Sequence, residues 1–198
     1  NAGNFTLITA QNNTGIGHSS LTSLTTGDDN TAVGSYSLND NTTGIYNTAV
    51  GVSSLSGNTT GNRNTAVGLL SLSRNTDGNF NTAVGYQSLL YNSTGDDNTA
   101  VGCYSLFFNT TGNSNTAVGR YSLYNNTTGD SNTALGYYSG STISIGNNLT
   151  CIGFGAQPTS GAANNQITLG NNRITSLRCN VTTITALSDA RDKKNIKD

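Results

Sequence analysis

Charge is scarce in this sequence. Nine Lys and Arg against ten Asp and Glu leave 10% of the 198 residues charged, with a net charge of −1. That balance gives no electrostatic hold on nucleic acid or on an anionic membrane surface. Long apolar runs are also missing, and none approaches the roughly 20 residues that cross a bilayer. No apolar leader opens the chain at Asn1, which reads as a start within something longer. The three cysteines, Cys103, Cys151 and Cys179, show neither metal-ligand spacing nor a paired framework, and read as small, partly buried thiols. The single histidine, His18, has no Cys, His or acidic cluster around it, so no metal is expected there. Hydrophobic residues reach only 33%. A disordered chain would be more charged and poorer in rings than one with nine Tyr and five Phe, and an ordinary globular domain would be richer in both apolar and charged residues.

Asn, Thr, Ser and Gly fill the gap, and they are arranged with a strict period. Asn-Thr-Ala-Val-Gly begins at Asn30, Asn47, Asn64, Asn81, Asn98 and Asn115, with a Leu version at Asn132, and successive starts differ by 17 residues. The motif's glycine recurs from Gly17 through Gly34 and Gly51 to Gly170, always after a branched aliphatic such as Ile16, Val33, Val50 or Leu169. A Leu column runs from Leu21 to Leu123, lapses at Gly140 and Gln157, and returns at Ile174. A second glycine column runs from Gly27 to Gly146. A constant period without insertions predicts stacked coils, with identical residues one above another.

Each unit reads as two short strands and two turns. The first strand is Thr-Ala-Val, as at Thr31 to Val33; the second is the Tyr-Ser-Leu stretch, as at Tyr36 to Leu38. The Asn-Thr-Thr-Gly segment turns the chain back, since Asn and Gly tolerate positive φ. Nothing recurs at helical spacing. The fold expected is all-β: a parallel β-solenoid or β-roll of about ten coils, with asparagine ladders along its axis. Residues 1–12 form a lead-in, 13–175 the rod, 176–187 an extended connector, and 188–198 a charged segment of different character. Each coil offers one branched aliphatic, one Leu, one Ala and sometimes a further Leu or Tyr, as at Tyr36, Leu70, Tyr104 and Tyr121. That is a thin core for 17 ordered residues. Sharing an apolar face among symmetry mates would complete it, so an intertwined or side-by-side homotrimer is expected ahead of a lone solenoid.

The small-aliphatic-Gly motif resembles the head repeats of trimeric autotransporter adhesins, which form a trimeric parallel β-roll, although the period here is longer. It is more similar to the Asn-Thr-Ala-Val-Gly repeats of phage tail-fibre-like proteins. At the C-terminus, Ser188, Asp189, Arg191, Lys193 and Asn195 match the Ser-Asp-x-Arg-x-Lys-x-Asn entry of the endosialidase-type intramolecular chaperone domain, approached through Asn165-Gln166-Ile167-Thr168-Leu169-Gly170. That resemblance implies trimer assembly followed by self-cleavage. Carried over, the scissile bond is Leu187–Ser188, the nucleophile Ser188 and the base Lys193, with Lys194 a weaker candidate. A lysine of lowered pKa can accept a hydroxyl proton. The sequence ends at Asp198, so the helical body of such a domain is absent from it, and in this segment the residues read as a charged tail.

Other motifs have plain alternatives. Asn-x-Ser/Thr acceptors fall in one turn column at Asn41, Asn58, Asn92, Asn109 and Asn126, and elsewhere at Asn148 and Asn180; they are either a glycan row or turn chemistry alone. Asp28-Asp29 and Asp96-Asp97 occupy equivalent turns and read as solvated turns ahead of calcium ligands. No nucleophile–His–acid set and no convergent carboxylates point to an enzyme acting on an external substrate, and no cofactor is expected. The function expected is a structural fibre or appendage segment on a virion or extracellular surface, presenting a region that binds a host receptor or glycan. The alternative is an adhesin head binding host surface or matrix through its own flanks. Ice or crystal binding by the Thr31 column is weaker, because the second strand supplies no paired threonine row.

Overall fold

The computed structural model describes residues 9–176. Ten strands follow one another, from β1 (Thr14–Ile16), β2 (Thr31–Val33), β3 (Thr48–Val50), β4 (Thr65–Val67) and β5 (Thr82–Val84) to β6 (Thr99–Val101), β7 (Thr116–Val118), β8 (Thr133–Leu135), β9 (Asn147–Ile152) and β10 (Asn164–Leu169). They make one parallel sheet in strict chain order. The register is the sequence period: Val33 lies opposite Val50, and Val50 opposite Val67. The chain is therefore a β-solenoid, and at about 4.8 Å per turn the nine intervals between strands make a rod roughly 43 Å long.

Coil-to-coil hydrogen bonds run around the whole circumference. Thr48 N–H donates to Asn64 O at 2.8 Å, Gly51 N–H to Val33 O at 2.8 Å, Leu55 N–H to Ser71 O at 2.9 Å and Thr59 N–H to Thr76 O at 2.9 Å. The expected second strand is different. Tyr36 and Leu38 have φ of 58° and 47°, so residues 36–38 form a left-handed corner. The corner still joins the ladder, with Tyr36 N–H donating to His18 O at 2.8 Å and Leu38 N–H to Ser54 O at 3.1 Å. A third left-handed residue lies upstream of each strand, at Asp29, Tyr46 and Arg63 for example. A 17-residue loop with so narrow a bore must bend sharply, and these non-glycine residues provide the bends.

The core corrects one expectation. Alternation along Thr-Ala-Val turns one residue inward and two outward. The inward one is alanine: Ala32, Ala49, Ala66, Ala83, Ala100, Ala117 and Ala134 are fully buried, packed with the column Leu21 to Leu123. The valines stack in line as the period requires, but on the outside, with Val50 and Val67 each 37% exposed. The bore already takes a Leu, a Ser and two Asn from each repeating coil, and the strand turns its smaller side chain toward them. The tyrosines expected to add to the core are outside too; Tyr36 is exposed, and Tyr104 and Tyr121 are half-buried. The glycine columns are fixed by the coil spacing. Gly68 has φ of 132°, and a Cβ there would lie 2.6 Å from Gly85 O. A Cβ on Gly95 would lie 2.5 Å from both Asn92 Oδ1 and Gly112 O.

Candidate interaction surface

Three polar ladders hold the coils in register and decide what is left for the surface. In the first, Asn47 N–H donates to Asn30 Oδ1 at 3.0 Å while its Nδ2 donates to Gly61 O at 2.8 Å, and Asn64 and Asn81 repeat this. In the second, Asn58 Nδ2 donates to Asn41 Oδ1 at 2.8 Å and to Gly61 O at 2.9 Å, and Asn75, Asn92, Asn109 and Asn126 continue the chain. Every member of this second ladder is fully buried. The acceptor asparagines Asn41, Asn58, Asn92, Asn109 and Asn126 belong to it, so in the folded rod that column is not a glycan row; Asn148 is exposed, and Asn180 lies outside the described residues. Leu24 and Ile143, both buried, occupy the same column at either end.

The third ladder was missed in the sequence. Asn62 Oδ1 accepts Ile45 N–H at 2.9 Å, Asn79 Oδ1 accepts Asn62 N–H at 2.9 Å and Asp96 Oδ1 accepts Asn79 N–H at 2.6 Å. Asp28 and Asp130 accept Gln11 N–H and Asn113 N–H in the same way, each at 2.6 Å. The position needs only an oxygen acceptor, so Asn and Asp interchange there from Asn62 to Asp130, with Ile45 a break between Asp28 and Asn62, and that alternation was the available signal. Asp28 and Asp96 thus have a structural partner. Among the described residues, no three His, Cys, Asp or Glu side chains converge.

Two features remain on the outside. The first is the Thr–Val face of the sheet. Ile16, Val33, Val50, Val67, Val84, Val101, Val118, Leu135, Ile152 and Leu169 form an unbroken aliphatic stripe, flanked by the strand threonines, and neither column contains a charged residue.

The second is an aromatic staircase on the later coils. Tyr104 and Tyr121 stack with centroids 5.1 Å apart and planes 1° apart, and Tyr138 follows Tyr121 at 4.8 Å. Beside them Phe107 stacks on Tyr124 at 5.2 Å, and Tyr91 on Phe108 at 5.4 Å. Arg120 lies over Tyr121 and Arg74 over Tyr91, at 4.7 and 4.6 Å. The ring spacing matches the coil rise. Ring faces are therefore largely occupied by one another, and the neighbouring stacks meet edge to face, Tyr121 with Tyr124 at 5.3 Å and Phe107 with Phe108 at 4.7 Å. A hydrogen bond with Tyr86, together with burial, pushes the Tyr104 hydroxyl pKa up, and burial does the same for Tyr124 and Tyr138. The rings sit where the sequence departs from its own columns, which was the signal for them.

The remaining candidates are dispersed. Ser188, Lys193, Lys194 and Cys179 lie outside the described residues. His18 packs edge-on against Tyr36 at 5.2 Å. Cys103 is half-exposed, whereas Cys151 is buried in the alanine column and desolvation pushes its thiol pKa up. An open groove lined by Gly155, Gln157, Thr168, Leu169, Gly170, Asn171 and Asn172 offers no acid, base or thiol. No family model matches the chain, and neither the curated proteins nor the solved structures yield a match to it.

Proposed function

We propose that this chain is a structural segment of a fibre or surface appendage, of the phage tail-fibre kind, which works as a homotrimer on a virion or extracellular surface and presents a receptor-binding region. The observation that carries this reading is the pair of continuous asparagine ladders together with the coil-to-coil backbone bonds, which lock the coils into a rod. A rod held together in this way transmits force and sets distance without a pocket. In a chain that continues past Asp198, Ser188 and Lys193 open the chaperone domain that aligns the subunits and then cuts at Leu187–Ser188. The test is native mass spectrometry of the purified segment. Three chains per particle are expected, and a single chain refutes the assembly. For maturation, a longer chain is expected to release its C-terminal part, and Ser188→Ala to block that release; release by the variant refutes the assignment.

The aromatic staircase favours a second reading, an adhesin head that binds host surface or matrix with its flank. Tyr86, Tyr137 and Phe154 break the uniformity of the repeat and are exposed. Capture of host envelopes by the isolated repeats, lost in Tyr86→Ser/Tyr137→Ser, would favour the adhesin over the shaft.

A further inference from the structure

From the placement of the Thr–Val columns, we infer that the rods associate through this face of β1 to β10, lying parallel and level so that each stripe residue meets its own counterpart. This rests on the assembly proposed above and specifies its contact. Four observations carry it. First, the stripe is apolar at all ten levels, from Ile16 to Leu169, yet turns away from the bore; Ile16 is 58% exposed and Leu135 49%. At roughly 50 Å² exposed per residue it amounts to about 500 Å², the size at which an apolar patch marks an interaction site.

Second, the aliphatic stripe and the threonine column beside it are free of charge. Arg63, Arg74, Asp77, Asp97 and Arg120 all lie in other columns. Around a shared axis each side chain faces copies of itself, so a charge there would meet like charge at close range. Third, the neighbouring column adds apolar side chains along one edge, Val52, Leu69, Tyr86, Tyr137 and Phe154, interrupted at Ser35, Cys103 and Arg120, whose guanidinium lies over the Tyr121 ring, and these extend the area toward the roughly 800 Å² per partner of a stable interface. Fourth, the spacing selects the occupant. The stripe repeats with the coil rise of about 4.8 Å, and a second copy of this chain carries the same spacing along its whole length. A regular solid surface such as ice is the competitor, and it enters the test as an outcome.

Two measurements test this on the whole segment. Val67→Asp/Val101→Asp is expected to keep the wild-type β-sheet circular dichroism while the assembled mass falls to that of one chain. Thr94→Asp/Thr128→Asp, on an exposed column away from the stripe, is expected to leave the assembly intact. Val33→Cys, in a chain with Cys103 and Cys179 replaced by Ser, is expected to cross-link to itself under mild oxidation. If Val33→Cys couples only when mixed with Ile152→Cys, the rods run in opposite directions and the inference is overturned. If the particle stays assembled with the Asp pair in the stripe, a different face is used, and the homotrimer survives while this inference does not. A wild-type mass of one chain overturns both, and thermal hysteresis from such a monomer would assign the face to ice.

Discussion

Replacing Asn75 by alanine tests the buried ladder at its middle. Asn75 Nδ2 donates to Asn58 Oδ1 at 2.8 Å and to Gly78 O at 2.9 Å, and its Oδ1 accepts from Asn92 Nδ2 at 2.8 Å. The three losses differ in weight. Gly78 O keeps the donor Asn64 Nδ2, and Asn92 Nδ2 keeps Gly95 O. Asn58 Oδ1 loses its ladder donor inside a fully buried column. An orphaned buried acceptor costs about 1–3 kcal/mol, and each half-loss about 0.5–1.5 kcal/mol. The expected destabilisation is about 2–6 kcal/mol per chain, with faster amide exchange concentrated in the coils of Asn58 and Asn92. Thr94→Ala, on an exposed position, is the control and should shift stability by less than about 0.5 kcal/mol. Asn75→Leu separates hydrogen bonding from volume, because Leu24 and Ile143 occupy the same column at its ends. Leu in the middle fills the space but orphans the same atoms. If urea unfolding places Asn75→Ala no further from wild type than Thr94→Ala, the ladder does not hold the coils and the reasoning fails.

Other outcomes follow from the same geometry. Gly68→Ala is expected to prevent formation of an intact rod, because its φ is 132° and the added carbon would meet Gly85 O, and recovery of soluble rod by size-exclusion chromatography measures this. Tyr121→Ala should cost about 1–3 kcal/mol through the stacks on Tyr104 and Tyr138, and Tyr121→Phe much less, read from thermal unfolding. The raised hydroxyl pKa values of Tyr104, Tyr124 and Tyr138 mean that the fold holds those protons more tightly than the unfolded chain does. Their contribution is present below the ordinary value of 10.0 and is lost as pH rises through the folded values, so absorbance at the tyrosinate band should lag that of the urea-unfolded chain. Iodoacetamide should label Cys103 in the folded rod and reach Cys151 only after unfolding, as peptide masses would reveal.

The register and the parallel stacking were legible because a 17-residue period admits one arrangement that keeps like residues together. Which strand residue faces inward was not legible. Alternation says that Ala and Val point to opposite sides, and hydropathy alone favours Val inside. The choice falls the other way because Asn47, Asn58, Ser54 and Leu55 are buried in the same stretch of bore as Ala49 and Ala66. Nor could the sequence identify the corner at Tyr36 and Leu38, since Leu and Tyr in the left-handed region defy their intrinsic preference. The asparagine columns were visible as columns, but their burial was not, because Asn-Thr-Thr-Gly reads equally as exposed turn chemistry.

The aliphatic stops at Leu24 and Ile143 bear on length. A chain of like-on-like amide contacts is open-ended; nothing within it specifies how many members it has. Capping both extremities with side chains that neither give nor accept a proton makes the interval between them modular. Excising or duplicating one 17-residue unit there would shorten or extend the ruler by one step of about 4.8 Å while leaving both terminal junctions chemically unchanged. Lineages carrying this segment could therefore tune reach by unequal recombination, without redesigning either end.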